Sequence, residues 1–294
     1  MTITDNKRCL VCKADHRTLY WHVDTDTKEV WCYCNKCDRG YSLSSYCWHA
    51  GISKSDIMNG NFEYQESRPN EVNKIDFPNW YLTLCDPRAK EGVEYIESRG
   101  LTLEGDMYYD ADRKGIVFPM YFENIFCGAQ TRFIASRVHA DGHEQKMDTL
   151  PGTRSGLLFY GWNGARFVGD VKGVIVTEGA FNALSLQQAL NKKYGGVHKN
   201  PWRVISCSGS GATSYQRERL KDLKDSGFKV ICSFDSDEAG IKGLHKFMKA
   251  DCITHFAITG DTEKDWNNLL CDLGYEGLAE YYIRAIKKVG SDVG

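Results

Sequence analysis

Residues 173–179 read Gly-Val-Ile-Val-Thr-Glu-Gly, and residues 229–240 read Lys-Val-Ile-Cys-Ser-Phe-Asp-Ser-Asp-Glu-Ala-Gly. In each stretch a short apolar run ends at carboxylates, Glu178 in the first and Asp235 and Asp237 in the second. A helical pattern follows each run, which is typical of βα units on a mostly parallel sheet. Ligands bind beyond the carboxyl ends of such strands, so we expect these carboxylates to share one crevice.

Carboxylates that converge on one crevice repel one another unless a cation joins them. Oxygen ligands favour a hard divalent ion, so the pattern predicts an Mg²⁺ or Mn²⁺ site for phosphate chemistry. The alternative is that these acids only cap the helices that follow, because negative charge is favourable at a helix N-terminus. The presence of both motifs, in this order, favours the metal site.

The composition limits the class of protein. The chain has 294 residues, of which 42% are hydrophobic and 26% are charged, and its formal net charge is −2. These values predict a globular chain of about two domains whose contacts with DNA are local, because bulk electrostatic attraction is absent. No apolar stretch reaches the ~20 residues that cross a bilayer. The N-terminus has no signal-peptide core, so we expect a cytoplasmic location and no membrane partner.

Four cysteines near the N-terminus form two Cys-x-x-Cys pairs, and this doubled spacing predicts one structural Zn²⁺ with tetrahedral coordination. Between the pairs, residues 19–33 have the pattern of strand, turn and strand, which predicts a zinc ribbon. Metal binding supplies the folding energy of such a small segment. The predicted ligands are Cys9, Cys12, Cys34 and Cys37.

Neighbouring residues leave one alternative open. His16 can replace one cysteine as a ligand, whereas Cys32 is expected to pack on the side of its strand. The later cysteines are expected to be reduced and buried as small hydrophobic residues.

The two acidic motifs together resemble the TOPRIM domain, which DnaG-like primases, topoisomerases and some nucleases share. Other segments narrow the resemblance to a DnaG-like primase of compact phage or mobile-element type. Residues 34–40 are similar to the second knuckle of the zinc-binding domain of these primases, and residues 89–101 look like their Y-x-x-x-R-G-L helix. Residues 114–133 predict two strands that pair through a turn at Glu123 and Asn124, and this pair resembles part of their basic subdomain. Residues 146–161 resemble the segment that ends in L-Y-G.

The resemblance implies an α/β protein in four parts. These are a zinc-binding ribbon over residues 1–55, a linker over 56–75, a mixed α+β basic subdomain over 76–166, and a TOPRIM domain over 167–294. The TOPRIM domain is expected to have a Rossmann-like, mostly parallel sheet. A final amphipathic helix is predicted over residues 275–289.

The resemblance also implies a function in DNA replication. Such a primase is a nucleotidyltransferase with DNA-directed RNA polymerase activity that makes short RNA primers on single-stranded DNA. Its substrates are ribonucleoside triphosphates, and a replicative helicase is expected to bind in trans. The expected setting is a bacterial or phage-infected bacterial cell.

The implied catalytic site contains four acids and one amide. Glu178, Asp235, Asp237 and Asp265 are expected to bind Mg²⁺ or Mn²⁺ and to carry catalysis, although helix capping is the alternative for Asp265. Asn182 stands where many such primases have an aspartate, and its carbonyl oxygen is a further candidate ligand. Because an amide brings less charge, the number of bound metals, one to three, stays open.

Basic residues of the middle region are candidates for contacts with template and nucleotide phosphates. Arg132 and Lys146 are the main ones by motif, followed by Arg113 and Lys114, and a solvated surface charge is the alternative for each. The Gly-rich stretch 206–213 is not followed by Gly-Lys-[Ser/Thr], so it is not a Walker motif. Its backbone amides approach a phosphate, or it is a plain tight turn.

Three other classes of protein are alternatives to a primase. A TOPRIM nuclease would use the same acids, but the order of ribbon and basic subdomain argues against it. A type IA topoisomerase needs a much longer chain and a nucleophilic tyrosine. A non-catalytic zinc-ribbon DNA-binding adaptor would have no use for the carboxylates, so it would behave independently of divalent metal.

Overall fold

The protein divides into two compact units, Met1–Glu71 and Val72–Gly294. The computed structural model describes residues 2–8, 17–23, 30–34, 39–42, 72, 74–138, 144–162, 170–209, 212–261 and 263–290. Within these ranges no helix combines the length and the apolar character needed to span a bilayer.

Four described segments of the first unit form an antiparallel sheet. In sheet order they are β1 (Thr2–Arg8), β2 (Arg17–Val23), β3 (Val30–Cys34) and β4 (Arg39–Ser42). The two predicted ribbon strands are therefore confirmed, and Cys32 and Cys34 are both buried on β3. Cys9, Cys12 and Cys37 lie outside the described residues, so the zinc site stays a prediction.

The second unit begins with an antiparallel sheet. Its described strands, in order, are β5 (Tyr81–Thr83), β6 (Tyr108–Asp110), β7 (Gly115–Phe122), β8 (Ile125–Val138) and β9 (Glu144–Thr149), and α1 (Lys90–Ser98) lies between β5 and β6 along the chain. Glu123 and Asn124 join β7 to β8 with φ values of 49° and 67°. Two successive left-handed residues are typical of a tight type I′ hairpin turn, so the predicted hairpin is confirmed.

A second sheet carries the βα units. Its described strands are β10 (Gly173–Thr177), β11 (Trp202–Ser206), β12 (Lys229–Cys232), β13 (His255–Phe256) and β14 (Lys287–Lys288). They lie in the order β11-β10-β12-β13-β14, with all pairs parallel except the last. The helices are α2 (Ala180–Tyr194), α3 (Ser214–Asp225), α4 (Glu238–Lys249) and α5 (Trp266–Ala285). This confirms the mostly parallel, Rossmann-like sheet.

The end of the chain differs from its prediction. The sequence of residues 253–259 by itself predicts a strand, but only two of these residues pair, and they form β13. The final helix begins earlier, at Trp266, and Gly274 interrupts it with a φ of 67°, outside the helical range. The helix ends at Ala285 because the chain then turns back to pair β14 with β13.

Hydrogen bonds join the two sheets of the second unit. The amide and carbonyl of Tyr160 bond to the carbonyl and amide of Ser206 at the end of β11, both at 3.0 Å. Tyr160 also bridges to Met120 of β7. In addition, Gln130 of β8 donates a hydrogen bond from Nε2 to the Ser208 carbonyl at 3.2 Å. The antiparallel sheet is thereby held next to the strand ends of the parallel sheet.

Candidate active site

The site starts at the carboxyl ends of two neighbouring strands. Glu178 directly follows β10, and Asp235 lies shortly after β12. These strands pair in parallel with Val176 opposite Cys232, so both carboxylates emerge at the same edge of the sheet. The structure thus brings together the two residues from which the metal prediction started.

Gly240 allows the helix after β12 to pack against this edge. The Gly240 amide donates a hydrogen bond to Asp237 Oδ1 at 2.7 Å, which caps α4. A Cβ atom on Gly240 would lie 2.1 Å from the Asp235 carbonyl oxygen and 2.9 Å from Glu178 Oε1. A larger residue would displace the Asp235 backbone, because packed interiors accommodate added atoms only by shifting. The last glycine of the second motif is therefore a packing requirement of the site.

Two of the predicted acids also cap helices. Asp237 caps α4, and Asp265 caps α5 by accepting a hydrogen bond through Oδ1 from the Asn268 amide at 2.7 Å. The Asn268 side chain bonds back to the Asp265 amide and completes a capping box. Both caps use Oδ1, so the other carboxylate oxygen can still meet a ligand. Capping and metal binding are compatible at these positions.

Burial and mutual repulsion perturb the central carboxylates. The pKa of Glu178 is raised to about 7, chiefly because burial disfavours its charge and further because of Asp237. The pKa of Asp235 is also raised to about 7, by burial first and then by Glu178, Asp265 and Asp237. Glu178 Oε1 is buried with no hydrogen-bond partner among the described residues. These are carboxylates that a cation would stabilise.

The carboxylates do not yet form a finished coordination shell. Among the described residues, no three His, Cys, Asp or Glu side chains are grouped so that they could hold a metal ion. The charges of Glu178, Asp265 and Asp237 each contribute to the raised pKa of Asp235, so these acids lie within electrostatic range of it.

Asn182 lies beside the carboxylates and forms a hydrogen bond with one of them. Its Oδ1 accepts a hydrogen bond from the Asn267 backbone amide at 3.2 Å, which fixes the orientation of the side-chain amide. Its Nδ2 then donates to Asp235 Oδ1 at 3.0 Å. In this arrangement the amide nitrogen faces Asp235, so Asn182 orients that carboxylate, and its role as a metal ligand stays a prediction.

Arg99 is a site residue that the sequence analysis did not assign. It follows α1, and its guanidinium lies 4.9 Å from the Phe181 ring centroid. Nη1 donates to Asn267 Oδ1 at 2.9 Å, and Nη2 donates to the Tyr95 hydroxyl at 3.2 Å. Asn267 is fully buried and returns a bond from Nδ2 to the Arg99 carbonyl at 2.9 Å. Arg99 is thus held rigidly, and the only earlier signal was its place in the Y-x-x-x-R-G-L pattern.

These residues surround a cavity of about 240 Å³. Arg132 of β8 lines it together with Glu178 and Asp235, so a cation from the antiparallel sheet shares the cavity with the strand-end acids. Arg132 Nε and Ser208 Oγ are buried without hydrogen-bond partners among the described residues. The cavity thus combines carboxylate oxygens with uncommitted donors. The lining residues are Arg99, Phe118, Arg132, Met147, Glu178, Gly179, Ala180, Phe181, Asn182, Ser208, Gly209, Asp235 and Asp265.

The other predicted basic residues are not brought to this cavity. Lys146 is 54% exposed and pairs with Glu144 at 3.6 Å, whereas its neighbour Met147 lines the cavity. Successive residues of a strand point to opposite faces, and Met147 lies opposite Arg132 in the ladder.

Both residues at the start of the β7 hairpin make structural ion pairs. Arg113 Nη1 bonds to Asp148 Oδ2 at 3.0 Å, and the Arg113 amide donates to the buried Asp110 at 3.0 Å. Lys114 pairs with Glu91 at 3.5 Å. Arg113 is therefore partly buried against the antiparallel sheet, whereas the Lys114 pair lies on the exposed surface.

Hydrogen bonds to other parts of the protein hold the loop after β11 as a turn. The Cys207 amide donates to the Thr177 carbonyl at 3.0 Å and the Gly209 amide to the Glu178 carbonyl at 3.2 Å. The Ser208 amide donates to Ser206 Oγ at 3.0 Å. Because these three amides are engaged, the described part of the loop favours the tight turn over a phosphate cradle of backbone amides. Ser208 and Gly209 of this loop line the cavity.

A larger cavity of about 540 Å³ lies elsewhere in the second unit. Its lining includes Glu104, Tyr160, Gln187 and Arg203, and none of the four predicted catalytic acids. We assign the site to the smaller cavity, because the perturbed carboxylates and uncommitted donors are there.

The four predicted catalytic acids lie in a part of the chain that matches a known protein family. Residues 175–270, about a third of the chain, match the family model described as Toprim-like. The match runs from β10 into α5 and includes Glu178, Asp235, Asp237 and Asp265. This part of the chain is therefore a Toprim-like domain, which confirms that part of the resemblance. No match was found among curated proteins.

The solved structures that are similar to this chain include three structures of primases or primase fragments. One is the DnaG catalytic core, at 18% identity over 69% of this chain and 75% of that chain, with a TM-score of 0.48. Another is the RNA polymerase domain of Mycobacterium tuberculosis primase DnaG, at 19% identity over 80% and 76%, with a TM-score of 0.45. A third is the primase fragment of the bacteriophage T7 primase-helicase protein, at 15% identity over 92% and 95%, with a TM-score of 0.40.

Proposed function

We propose that the protein is a DNA primase that joins ribonucleoside triphosphates into short RNA primers on single-stranded DNA. The observation that carries the proposal is the cavity in which the acids of a Toprim-like domain face Arg132 of the antiparallel sheet. Phosphoryl transfer needs oxygen ligands for a divalent cation and guanidinium groups for phosphate in the same place. The motif order along the chain supports primer synthesis over the other TOPRIM activities.

The donor set suits Mg²⁺ or Mn²⁺, since such ions take carboxylate oxygens as ligands. Glu178 and Asp235 are the main proposed ligands, because burial and repulsion raise the pKa of each to about 7 and a nearby cation would offset both effects. Asp237 and Asp265 would support them through the oxygens not used in capping. A bound divalent cation would offset charge on the transferring phosphoryl group and lower the pKa of the attacking hydroxyl.

The protein's own groups would position the reactants. Arg132 would bind substrate phosphate, because its buried Nε has no partner among the described residues. Arg99 would hold a second phosphate with a guanidinium fixed by Asn267 and Phe181. Asn182 would keep Asp235 oriented towards the substrate. Such fixed charges accelerate a reaction because they need no rearrangement as it proceeds.

The first unit is proposed as a zinc ribbon that contacts the template. Its four strands and the buried Cys34 support this assignment. One structural Zn²⁺ would be held by Cys9, Cys12, Cys34 and Cys37, and elemental analysis of the purified protein would measure it. A replicative helicase acting in trans is the proposed protein partner.

Primer synthesis tests the proposal. The purified protein would be incubated with single-stranded DNA, four ribonucleotides, one of them labelled, and Mg²⁺ or Mn²⁺. We expect short labelled RNA from the wild type and none from Glu178→Gln or Asp235→Asn, which keep side-chain shape but remove charge. Asp112→Asn, on an exposed turn, is the matched control and should retain activity.

Three other results would contradict the primase. Metal-dependent shortening of the template, lost in the same variants, would indicate a nuclease. Tight DNA binding that is independent of metal and of Glu178 would indicate the zinc-ribbon adaptor. Absence of labelled RNA with either metal, also after a replicative helicase is added, would reject primer synthesis.

A further inference from the structure

Ser208 has an unusual backbone conformation next to the site. It lies in the turn after β11 with a φ of 61°. Residues with a side chain rarely adopt this left-handed region, and glycine would occupy it without strain. Strained residues of this kind cluster at active sites and ligand-binding sites, so the conformation of Ser208 motivates a hypothesis about its function.

Contacts on both sides fix the Ser208 backbone. Its amide donates to Ser206 Oγ at 3.0 Å, and its carbonyl accepts a bond from Gln130 Nε2 at 3.2 Å. The next amide, that of Gly209, donates to the Glu178 carbonyl at 3.2 Å. Ser208 is therefore tied to the antiparallel sheet and to the backbone of a proposed metal ligand.

The Ser208 hydroxyl is buried, yet it has no hydrogen-bond partner among the described residues. A hydroxyl removed from water without a partner is unfavourable. Both the strain and the unmet hydroxyl would disappear if residue 208 were glycine. The protein has a serine in a conformation that suits glycine, and the described residues offer its hydroxyl no partner, so a ligand is a candidate partner for the hydroxyl.

The surroundings define the chemistry of that ligand. Ser208 shares its cavity with Glu178 and Arg132, whose Oε1 and Nε are likewise buried without described partners. A ligand that satisfies all three must present anionic oxygens to Arg132 and to the hydroxyl, and a cation to the carboxylate. A phosphate oxyanion accompanied by a divalent cation has both features.

We propose that Ser208 Oγ binds substrate directly, by donating a hydrogen bond to a phosphate oxygen of the incoming nucleoside triphosphate. This inference rests on the proposed function and adds a phosphate ligand from the side chain of a loop whose described amides are engaged within the protein. The backbone phosphate of single-stranded DNA has the same chemistry, so the test must separate the two sources.

Two substitutions distinguish the effect of the Ser208 hydroxyl from the effect of its backbone conformation. Ser208→Ala removes the hydroxyl and keeps the strain, whereas Ser208→Gly removes both. Ser226→Ala, at the exposed C-terminus of α3, is the control. The full-length variants would be titrated with a fluorescent ATP analogue in Mn²⁺ and, separately, with a labelled single-stranded DNA oligonucleotide, and thermal unfolding would be followed in parallel.

Both Ser208 variants should raise the Kd for the ATP analogue about 10-fold or more, as expected for a lost hydrogen bond to a charged group. Their Kd for DNA should stay within about twofold, and neither should melt below the wild type. Unchanged nucleotide binding in Ser208→Ala would overturn the inference, as would weakening confined to Ser208→Gly or to DNA.

Primer synthesis by the wild type keeps this inference distinct from the proposed function. If the wild type makes primers while Ser208→Ala binds nucleotide normally, only the role of Ser208 is wrong. If the Ser208 variants lose nucleotide binding but the wild type makes no primer with either metal, the phosphate contact stands and the primase is wrong.

Discussion

Replacing Asp235 by asparagine should stabilise the metal-free protein at pH 8. The pKa of Asp235 is raised from 3.8 to about 7 by burial and by Glu178, Asp265 and Asp237. Between these pH values the folded protein keeps a proton that the unfolded chain has released. Stability is therefore fully present below about pH 4, falls as the pH rises towards about 7, and stays low above it.

The size of this change in stability follows from the same two pKa values of Asp235. A difference between 3.8 and about 7 corresponds to about 4 kcal/mol, at roughly 1.4 kcal/mol per pH unit. Asp235 lines an open cavity and is only half-buried, so water screens part of this effect. We therefore expect Asp235→Asn to gain about 2 kcal/mol at pH 8 and almost nothing at pH 4. The asparagine carbonyl can still accept the bond from Asn182.

Urea unfolding in metal-free buffer at pH 4, 6 and 8 would measure this gain. Trp266 reports on the relevant unit, since it is fully buried and donates to the Ser233 carbonyl at 3.0 Å. Asp112→Asn is the control and should follow the wild type at every pH. Equal stability of Asp235→Asn and wild type at pH 8, or the same fall with pH in both, would refute the electrostatic account. Added Mn²⁺ should stabilise the wild type and not Asp235→Asn.

Three further substitutions test other parts of the site. Gly240→Ala should cost about 2 kcal/mol or more in urea unfolding, since its Cβ would lie 2.1 Å from a backbone oxygen; Gly179→Ala, with nothing within 4 Å, should be far milder, and equal losses would contradict the packing account. Arg132→Ala should weaken binding of the ATP analogue about 10-fold or more, whereas exposed Lys146→Ala should bind within about twofold of wild type; the reverse order would contradict the cavity assignment. Asn267→Ala should destabilise the protein by about 3 kcal/mol, because it removes three side-chain hydrogen bonds, and a loss below about 1 kcal/mol would show that these bonds are dispensable.

Local patterns were enough to predict the framework of the site. The apolar runs before Glu178 and Asp235 predicted strands, because a short, continuous β-branched run followed by a helical pattern is typical of a strand buried on both faces. Parallel βα units then place the strand ends at one edge of the sheet, so the meeting of these two acids also followed. The hairpin turn at Glu123 and Asn124 was predictable for the same reason, since it depends on adjacent residues alone.

Tertiary structure decided the rest, because it depends on contacts between residues far apart in the chain. The orientation of the Asn182 amide is set by the backbone of Asn267, which lies 85 residues further along the chain, and this directs the amide nitrogen towards Asp235. Arg99 likewise enters the cavity only because Asn267 and Phe181 hold it there.

The choice between neighbouring residues also needed the fold. On β9, polar residues occur on both faces, so no hydrophobic alternation in the sequence shows that Met147 and not Lys146 faces the cavity. Its motif context alone makes Lys146 a candidate for a phosphate contact. The sequence by itself determined the βα framework and the strand-end acids, since those follow from local periodicity. Which side chains complete the cavity was decided by packing between the two sheets.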